Sequence, residues 1–186
     1  MKRFYLLTLL VFFTLAVSAV NVQINGIVYN INVKTGITEV TANTSHPYTG
    51  DIVIPETITY EGTKYTVTAI GDGAFNNCVR LRSVTIPNTV TSLGEKAFAK
   101  CNGLTSFIIP NSVTSIGKKA FYLCTDITSM EISNSVQSIG SHAFFGCSSL
   151  TSITIPYSVT CIADSTFSYC SKLTTVKIPH SVTSIG

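Results

Sequence analysis

The side chains of this chain that could act as catalytic bases are three histidines, His46, His142 and His180. Hydrolysis would require one of them beside an activated serine or cysteine, together with a group that orients the imidazole. His142 falls where other copies of an internal repeat carry Lys96 and Lys119, which is typical of a solvated surface position, and His180 falls at a turn. The pattern places neither beside a nucleophile, so the sequence predicts no catalytic residues and no enzyme activity.

Cysteines are the other reactive group, and five of them are 23 residues apart: Cys78, Cys101, Cys124, Cys147 and Cys170. This spacing lacks the paired Cys-x-x-Cys of zinc sites, and the acidic residues do not form a calcium loop, so no metal and no cofactor is expected. Equivalent positions of successive repeats rarely face each other as a disulfide requires, which favours buried free thiols. Cys161 replaces a serine of the other repeats. It is either an exposed thiol or a partner for Cys170, and both alternatives stay open.

A repeat of 23 residues must position all these side chains. Its columns are Leu81, Leu104, Ile127, Leu150 and Leu173; Ile86, Ile109, Ile132, Ile155 and Ile178; Val90, Val113, Val136, Val159 and Val182; and Phe98, Phe121, Phe144 and Phe167. A fixed period of about 20 to 30 residues indicates a solenoid, in which each unit buries its apolar face only by stacking on its neighbours. One continuous hydrophobic core is therefore expected.

The unit that starts at Leu104 shows the predicted local structure. Phe107 and Ile109 alternate with polar or outward positions as in a short strand, which Pro110 ends because it has no N–H for a ladder. Residues 113–117 form a second extended piece, and small and apolar residues from 120 to 124 follow at helix-like spacing. The sequence thus predicts a β-rich solenoid of 23-residue coils, each with short parallel strands and a helical turn.

Residues 20–57 do not follow the repeat and are predicted to form an N-terminal β-hairpin cap. Alternating apolar residues flank Asn25-Gly26, which is a strong signal for a two-residue hairpin. A second hairpin is expected at Glu61-Gly62, inside a degenerate first repeat. The remainder, residues 58–186, is predicted to be the repeat array, whose last unit is incomplete.

Residues 1–19 resemble a secretory signal peptide, because a basic start is followed by about 14 apolar residues and a small-residue end at Ala19. The apolar run is shorter than the ~20 residues that span a bilayer, so we expect export without an integral membrane segment after cleavage; an uncleaved anchor is the alternative. The chain has 45% hydrophobic and 11% charged residues with a formal charge of +3. This balance excludes a disordered polyelectrolyte and gives no reason to expect nucleic-acid binding.

One complete copy of the repeat carries a recognisable pattern: Leu81, Val84, Ile86, Pro87, Val90, Leu93, Gly94, Ala97, Phe98 and Cys101. It resembles the BspA-type leucine-rich repeat, also called the Treponema pallidum type, over about residues 51–186, and the cap is similar to exported members from Bacteroides-like bacteria. The resemblance implies a secreted or cell-surface protein that binds host or bacterial macromolecules. It implies no catalytic chemistry and no defined ligand residues.

The last repeat lacks its Ala-Phe and Cys half, so its coil is expected to expose part of the core. Two interpretations stay open: the chain is a piece of a longer array, or copies associate end to end at this open C-terminal coil.

Candidate binding residues are those that point outward and vary between repeats. They are Ile108, Glu131 and Lys177 on the strands, Tyr122, Phe145 and Tyr169 around the turn, and Tyr157 and His180 elsewhere. The strand residues could equally form a solvated sheet, and the aromatic rings could equally fold back onto the core. The function favoured is adhesion to an extracellular protein or glycan; the alternative is a spacer or scaffold segment of a longer surface protein that has no ligand of its own.

Overall fold

The computed structural model describes residues 18–186, so the expected leader lies outside the described residues except for Ser18 and Ala19. Every regular element of this part of the chain is a strand. The cap and the first repeat contain β1 (Ala19–Ile24), β2 (Ile27–Asn32), β3 (Thr38–Thr41), β4 (Gly50–Val53), β5 (Thr57–Tyr60) and β6 (Thr63–Ile70). The regular repeats contain β7 (Leu81–Thr85), β8 (Ser92–Leu93), β9 (Ser106–Ile109), β10 (Ser115–Ile116), β11 (Ser129–Ile132), β12 (Ser138–Ile139), β13 (Ser152–Thr154), β14 (Cys161–Ile162), β15 (Thr175–Lys177) and β16 (Ser184–Ile185).

The cap continues directly into the repeats through one sheet. Strands β1 and β2 form an antiparallel hairpin at Asn25 and Gly26, whose φ angles of 49° and 83° are those of a turn with both central residues left-handed. Strand β3 then lies between β2 and β6, antiparallel to the first and parallel to the second. From β6 the sheet runs in parallel through β8, β10 and β12, so the cap covers the first coil of the solenoid. The second predicted hairpin, β5 with β6, turns at Glu61 and Gly62.

The longer strands of each coil form a second parallel column. They pair as β4 with β7, β9 with β11 and β13 with β15. Side chains alternate between the core and solvent, as predicted: Phe107 is 4% exposed, whereas its neighbour Ile108 is 66% exposed. The two columns of strands enclose one hydrophobic core, because residues on both contribute to the same cluster.

A stack of phenylalanine rings runs along the centre of this core. Adjacent centroids are 5.0 Å apart for Phe75 and Phe98, 5.3 Å for Phe98 and Phe121, 5.7 Å for Phe121 and Phe144, and 5.6 Å for Phe144 and Phe167. The rings are nearly parallel, with interplanar angles from 3° to 15°. Phe107 packs edge-on against two of them, at 4.8 Å from both Phe98 and Phe121. The predicted continuous core is therefore confirmed.

The predicted helical turn in each coil is wrong. In the segment after Gly117, alternate backbone N–H groups bond in two directions: Ala120, Tyr122 and Cys124 donate to the carbonyl three residues earlier, and Lys119, Phe121 and Leu123 donate to carbonyls of the next coil. An α-helix would direct every N–H to the fourth preceding carbonyl. Lys119 and Leu123 also have left-handed φ angles of 57° and 56°, which a helix does not contain. Each coil thus has a chain of tight turns that forms a third ladder between coils.

The regularly spaced cysteines lie beside this ladder as free thiols. Their sulfhydryls donate to core carbonyls: Cys101 to Phe75 at 3.0 Å, Cys124 to Phe98 at 2.9 Å, Cys147 to Phe121 at 3.3 Å and Cys170 to Phe144 at 3.1 Å. Burial raises the pKa of all four thiols, and of Cys78 as well. Cys161 is free and exposed. Since the thiolate is the reactive form, the cysteines of this column should react slowly, and those that are fully buried slowest of all.

This difference in burial predicts a single fast thiol. In the native chain at about pH 8, a thiol reagent should modify Cys161 at once, Cys170 slowly, and the four buried cysteines only after denaturation. Cys161→Ser should remove the fast phase alone. A denatured titration that yields four thiols instead of the six in the sequence would mean that a disulfide had formed.

Two adjacent phenylalanines offer a matched test of the core. Phe144 is fully buried in the ring stack, so Phe144→Ala should lower the free energy of unfolding by about 3–5 kcal/mol because it leaves a cavity. Phe145 is half-buried outside the core, and Phe145→Ala should lower it by about 1 kcal/mol. Urea unfolding followed by circular dichroism measures both. Equal losses would contradict a core built on the ring stack.

Candidate functional site

Two of the predicted strand residues are neighbours on the outer sheet face. Ile108 of β9 and Glu131 of β11 are register partners, and shallow depressions of about 320 and 400 Å³ lie on either side of Ile108. The wall residues are strand and turn side chains rather than a convergent polar set. At this pair the face presents an exposed apolar side chain beside a carboxylate.

The same face carries an ion pair nearer the cap. The Asp51 carboxylate accepts hydrogen bonds from the Ser83 hydroxyl and the Arg82 guanidinium, each at 2.8 Å, and these bonds lower its pKa. Both partners are largely exposed, so the pair contributes little to stability.

Lys177 and Tyr157 line one shallow depression of about 120 Å³ between the strand ends of the last two coils. Tyr157 is 74% exposed. His180 is exposed in the turn that follows Pro179. Lys177 and Tyr157 therefore lie together, but neither contacts Ile108 or the aromatic residues of the turn.

The acidic residues near the cap are used in the fold. Burial and the nearby Asp72 carboxylate raise the pKa of Glu39. Asp72 accepts a hydrogen bond from the Glu95 backbone N–H at 2.6 Å, which ties two coils together. Within residues 18–186 no group of three or more histidine, cysteine, aspartate or glutamate side chains is arranged to hold a metal ion. No helix in this part of the chain is long and apolar enough to span a bilayer.

The predicted turn residues Tyr122, Phe145 and Tyr169 form a continuous row of rings, which we call the aromatic strip. The centroids of Tyr122 and Phe145 are 5.1 Å apart with an interplanar angle of 18°, and those of Phe145 and Tyr169 are 4.9 Å apart at 47°. Tyr122 and Phe145 are half-buried and Tyr169 is 77% exposed. The rings therefore neither enter the core nor project singly into solvent; they stack on one another at the surface.

The core ring stack positions the strip. Tyr122 and Phe145 each follow a core phenylalanine, so the spacing of the core rings fixes the spacing of these two rings. Tyr169 is one position later, in the column of Leu123 and Gly146. Because Gly146 has no side chain, Leu123 lies across it, and a Cβ at Gly146 would be only 2.5 Å from Leu123 Cδ2. Tyr169 leans instead onto Phe145.

Backbone strain accompanies the strip. Leu123 and Tyr169 have φ angles of 56° and 61°, in a column where Gly146 has 71° and Asn77 has 62°. Glycine adopts this region freely and asparagine readily, but other residues lose about 1–2 kcal/mol there. A bulky, exposed tyrosine at such a position does not serve the stability of the turn. Lys100 in the same column has a φ of 59°, so the left-handed residue belongs to the turn of every coil rather than to the strip alone.

Positive charge borders the strip. The Lys119 Nζ lies 5.5 Å from the centroid of the Tyr122 ring. The His142 ring also packs beside the strip, 5.6 Å from the centroid of Phe145. Lys100 donates its backbone N–H to the Tyr122 carbonyl at 2.7 Å. Sequence reasoning missed this association because it treated these lysines only as solvated positions. The signal that could have revealed it is the presence of four lysines within two successive turn segments: Lys96, Lys100, Lys118 and Lys119.

Comparison with known families identifies the repeat. The model of the BspA type leucine rich repeat region matches residues 68–186 in six copies. No curated protein sequence matches the chain.

Solved structures agree in fold. A leucine rich cell surface protein from Faecalibacterium prausnitzii is 37% identical, with a TM-score of 0.78; the match covers 89% of this chain and 44% of that protein. The leucine rich repeat protein of T. pallidum is 25% identical, with a TM-score of 0.69, over 85% of this chain and 82% of that one. A leucine-rich repeat protein from Bacteroides ovatus is 25% identical, with a TM-score of 0.55, over 89% of this chain and 55% of that one. The chain thus spans less than half of the first protein and about half of the third.

The strain at Tyr169 predicts an unusual order of stability. Tyr169→Gly should be more stable than Tyr169→Ala by about 1 kcal/mol, because only glycine adopts the left-handed backbone without loss. Tyr157 is equally exposed but has no positive φ, so the order should be reversed there: Tyr157→Ala should be more stable than Tyr157→Gly. Thermal unfolding of the four variants tests this. A higher unfolding temperature for Tyr169→Ala than for Tyr169→Gly would contradict a strained backbone at this position.

Proposed function

The chain belongs to the BspA-type leucine-rich repeat family, and from this we propose that it is a non-catalytic binding protein, secreted or at the cell surface, which adheres to an extracellular protein or glycan. The F. prausnitzii relative is described as a cell surface protein, which supports this location. Proteins of this repeat type are typically not enzymes. The pronounced burial of the thiols in the cysteine column agrees with a structural role for these side chains.

The aromatic strip is the single observation that carries the proposal. Exposed aromatic rings are enriched at binding interfaces, because they offer a large rigid contact area with few rotatable bonds to order. Here three of them are assembled in one row at the surface. Repetition along the solenoid would then add several modest contacts into one useful affinity.

A spacer function is the second candidate, and the threonine columns favour it. Thr91 donates its hydroxyl to the Thr68 carbonyl at 3.3 Å, and Thr114 donates to the Thr91 carbonyl at 3.2 Å. The column of Thr105, Thr128, Thr151 and Thr174 repeats the arrangement with bonds from 3.1 to 3.4 Å. These hydroxyl groups donate their hydrogens to the neighbouring coil. They therefore stabilise the stacking of coils and are not free to donate to a ligand.

A binding array separates the two functions. We expect the chain to bind at least one glycan or extracellular-matrix protein saturably, and the triple variant Tyr122→Ser, Phe145→Ser, Tyr169→Ser to lose at least about tenfold in affinity because the strip supplies the central contacts.

The control for this variant is Tyr157→Ser, which removes an equally exposed ring from another surface and should leave affinity within about twofold. Circular dichroism and thermal unfolding of each variant establish that the solenoid persists. If the chain binds no member of the array, or if the triple variant retains the full affinity, the spacer function is favoured.

A further inference from the structure

We propose that the partner of the aromatic strip is a linear acidic polysaccharide, whose anionic groups are held by lysines of the two neighbouring coils. This inference rests on the proposed binding role of the strip and goes beyond it by naming the chemistry of the ligand. The residues concerned, which we call the lysine cluster, are Lys96, Lys100, Lys118 and Lys119.

Backbone hydrogen bonds hold the lysine cluster together. Lys96 donates its N–H to the Lys118 carbonyl at 2.9 Å, and Lys100 donates to the Tyr122 carbonyl at 2.7 Å. Lys119 has its Nζ over the Tyr122 ring, 5.5 Å from the centroid. The turn ladder therefore joins the segments that carry the cluster and the strip, and the side chains of the two groups meet at Lys119 and Tyr122.

The charge of the cluster is only partly compensated. In these two turn segments the acidic residue is Glu95, whose carboxylate is 3.2 Å from Lys96 Nζ. Both side chains of that pair are nearly half exposed, at 47% for Lys96 and 44% for Glu95, so the pair is well solvated. Asp72 of the preceding coil adds a second carboxylate, whose Oδ1 accepts the Glu95 backbone N–H at 2.6 Å, so four lysines outnumber two carboxylates and an excess of positive charge remains on adjacent coils. Such a group repels itself and does not help the fold, whereas it attracts an anionic ligand.

The shape of the surface favours a linear polymer. Coils joined by backbone hydrogen bonds are about 4.8 Å apart, so the four coils that carry the cluster and the strip extend over about 15 Å. The row is about one side chain wide. A stable contact with a folded protein would need about 800 Å² on each partner, and a membrane surface would need a broad face rather than a row.

Ring stacking disfavours single-stranded nucleic acid. Proteins that bind it stack bases on open aromatic faces. The rings of Tyr122 and Phe145 are nearly parallel with centroids 5.1 Å apart, so they occupy each other's faces and leave no space for a base between them. The ring edges and the two tyrosine hydroxyls remain available. The phenol hydroxyls can exchange hydrogen bonds with sugar hydroxyls, and the largely exposed Tyr169 ring can pack its face against the C–H groups of one sugar.

The test uses polygalacturonate and its fully methyl-esterified form, which have the same sugar backbone with and without charge. We expect the full chain to bind polygalacturonate with an affinity that falls at least tenfold between about 50 and about 500 mM NaCl, since salt screens contacts between exposed charges. Affinity for the ester should be at least tenfold weaker. The variant Lys96→Gln, Lys100→Gln, Lys118→Gln, Lys119→Gln should lose at least tenfold on polygalacturonate alone.

A charge-matched control uses four other basic residues, which belong to neither the cluster nor the candidate binding residues: Lys34→Gln, Lys64→Gln, Arg80→Gln, Lys172→Gln. This variant has the same net charge and should keep its affinity within about threefold. Equal losses in the two quadruple variants would overturn a specific cluster. Equal binding of the acid and the ester, or tighter binding of an oligothymidylate or of anionic phospholipid vesicles, would overturn the acidic polysaccharide.

Failure of this inference is distinguishable from failure of the proposed function. If neither polymer binds while the array yields a ligand that the aromatic triple variant loses, the binding function stands and the acidic polysaccharide is excluded. If the aromatic triple variant binds polygalacturonate as well as the native chain, the strip has no part in that binding: the partner proposed for the strip is excluded, while glycan binding by the chain stands.

Discussion

The structure depends on the sharing of backbone hydrogen bonds between successive coils. One coil is too short to satisfy its own N–H and C=O groups, so it directs them to its neighbours from both strand columns and from the tight turns. Phe98, Phe121 and Phe144 stack because this backbone spacing brings equivalent side chains to about 5 to 6 Å from one another. A coil therefore exists only as part of the stack, and the cap is needed because its sheet pairs with the first coil.

Much of this could be predicted from the sequence, because the core columns repeat without ambiguity. When leucine, valine or phenylalanine recurs every 23 residues, stacked coils bury all the copies only if each copy faces the core. The hairpins at Asn25-Gly26 and Glu61-Gly62 were also predictable, since few residue pairs adopt two left-handed conformations in succession. These features are local or strictly periodic. Reasoning from a single sequence is strongest in both cases.

The turn segments were not predictable for a physical reason. Ala120, Phe121 and Cys124 have the spacing of one helical face, and a chain of tight turns packed against the core buries the same three residues. The two conformations differ in where alternate N–H groups point, which depends on the neighbouring coil. Lysine and leucine at positions 119 and 123 also gave no signal, because their ordinary preference is for right-handed backbone. Tertiary hydrogen bonding overrode local propensity.

The hydrogen-bond ladder of the turn segments also explains why only part of the candidate surface could be predicted from the sequence. Tyr122 and Phe145 share a column, so their proximity follows from the repeat. Lys100 is close to Tyr122 for another reason: the turn ladder joins each residue to one 22 positions later, one fewer than the repeat. On this edge, the residue that lies next to a given residue is therefore one column away from its equivalent in the next copy of the repeat. Inward columns are kept uniform by the penalty of a cavity, whereas outward columns are free to vary. The offset lets residues from different columns, such as Lys100 and Tyr122, combine into one surface without disturbing the core beneath.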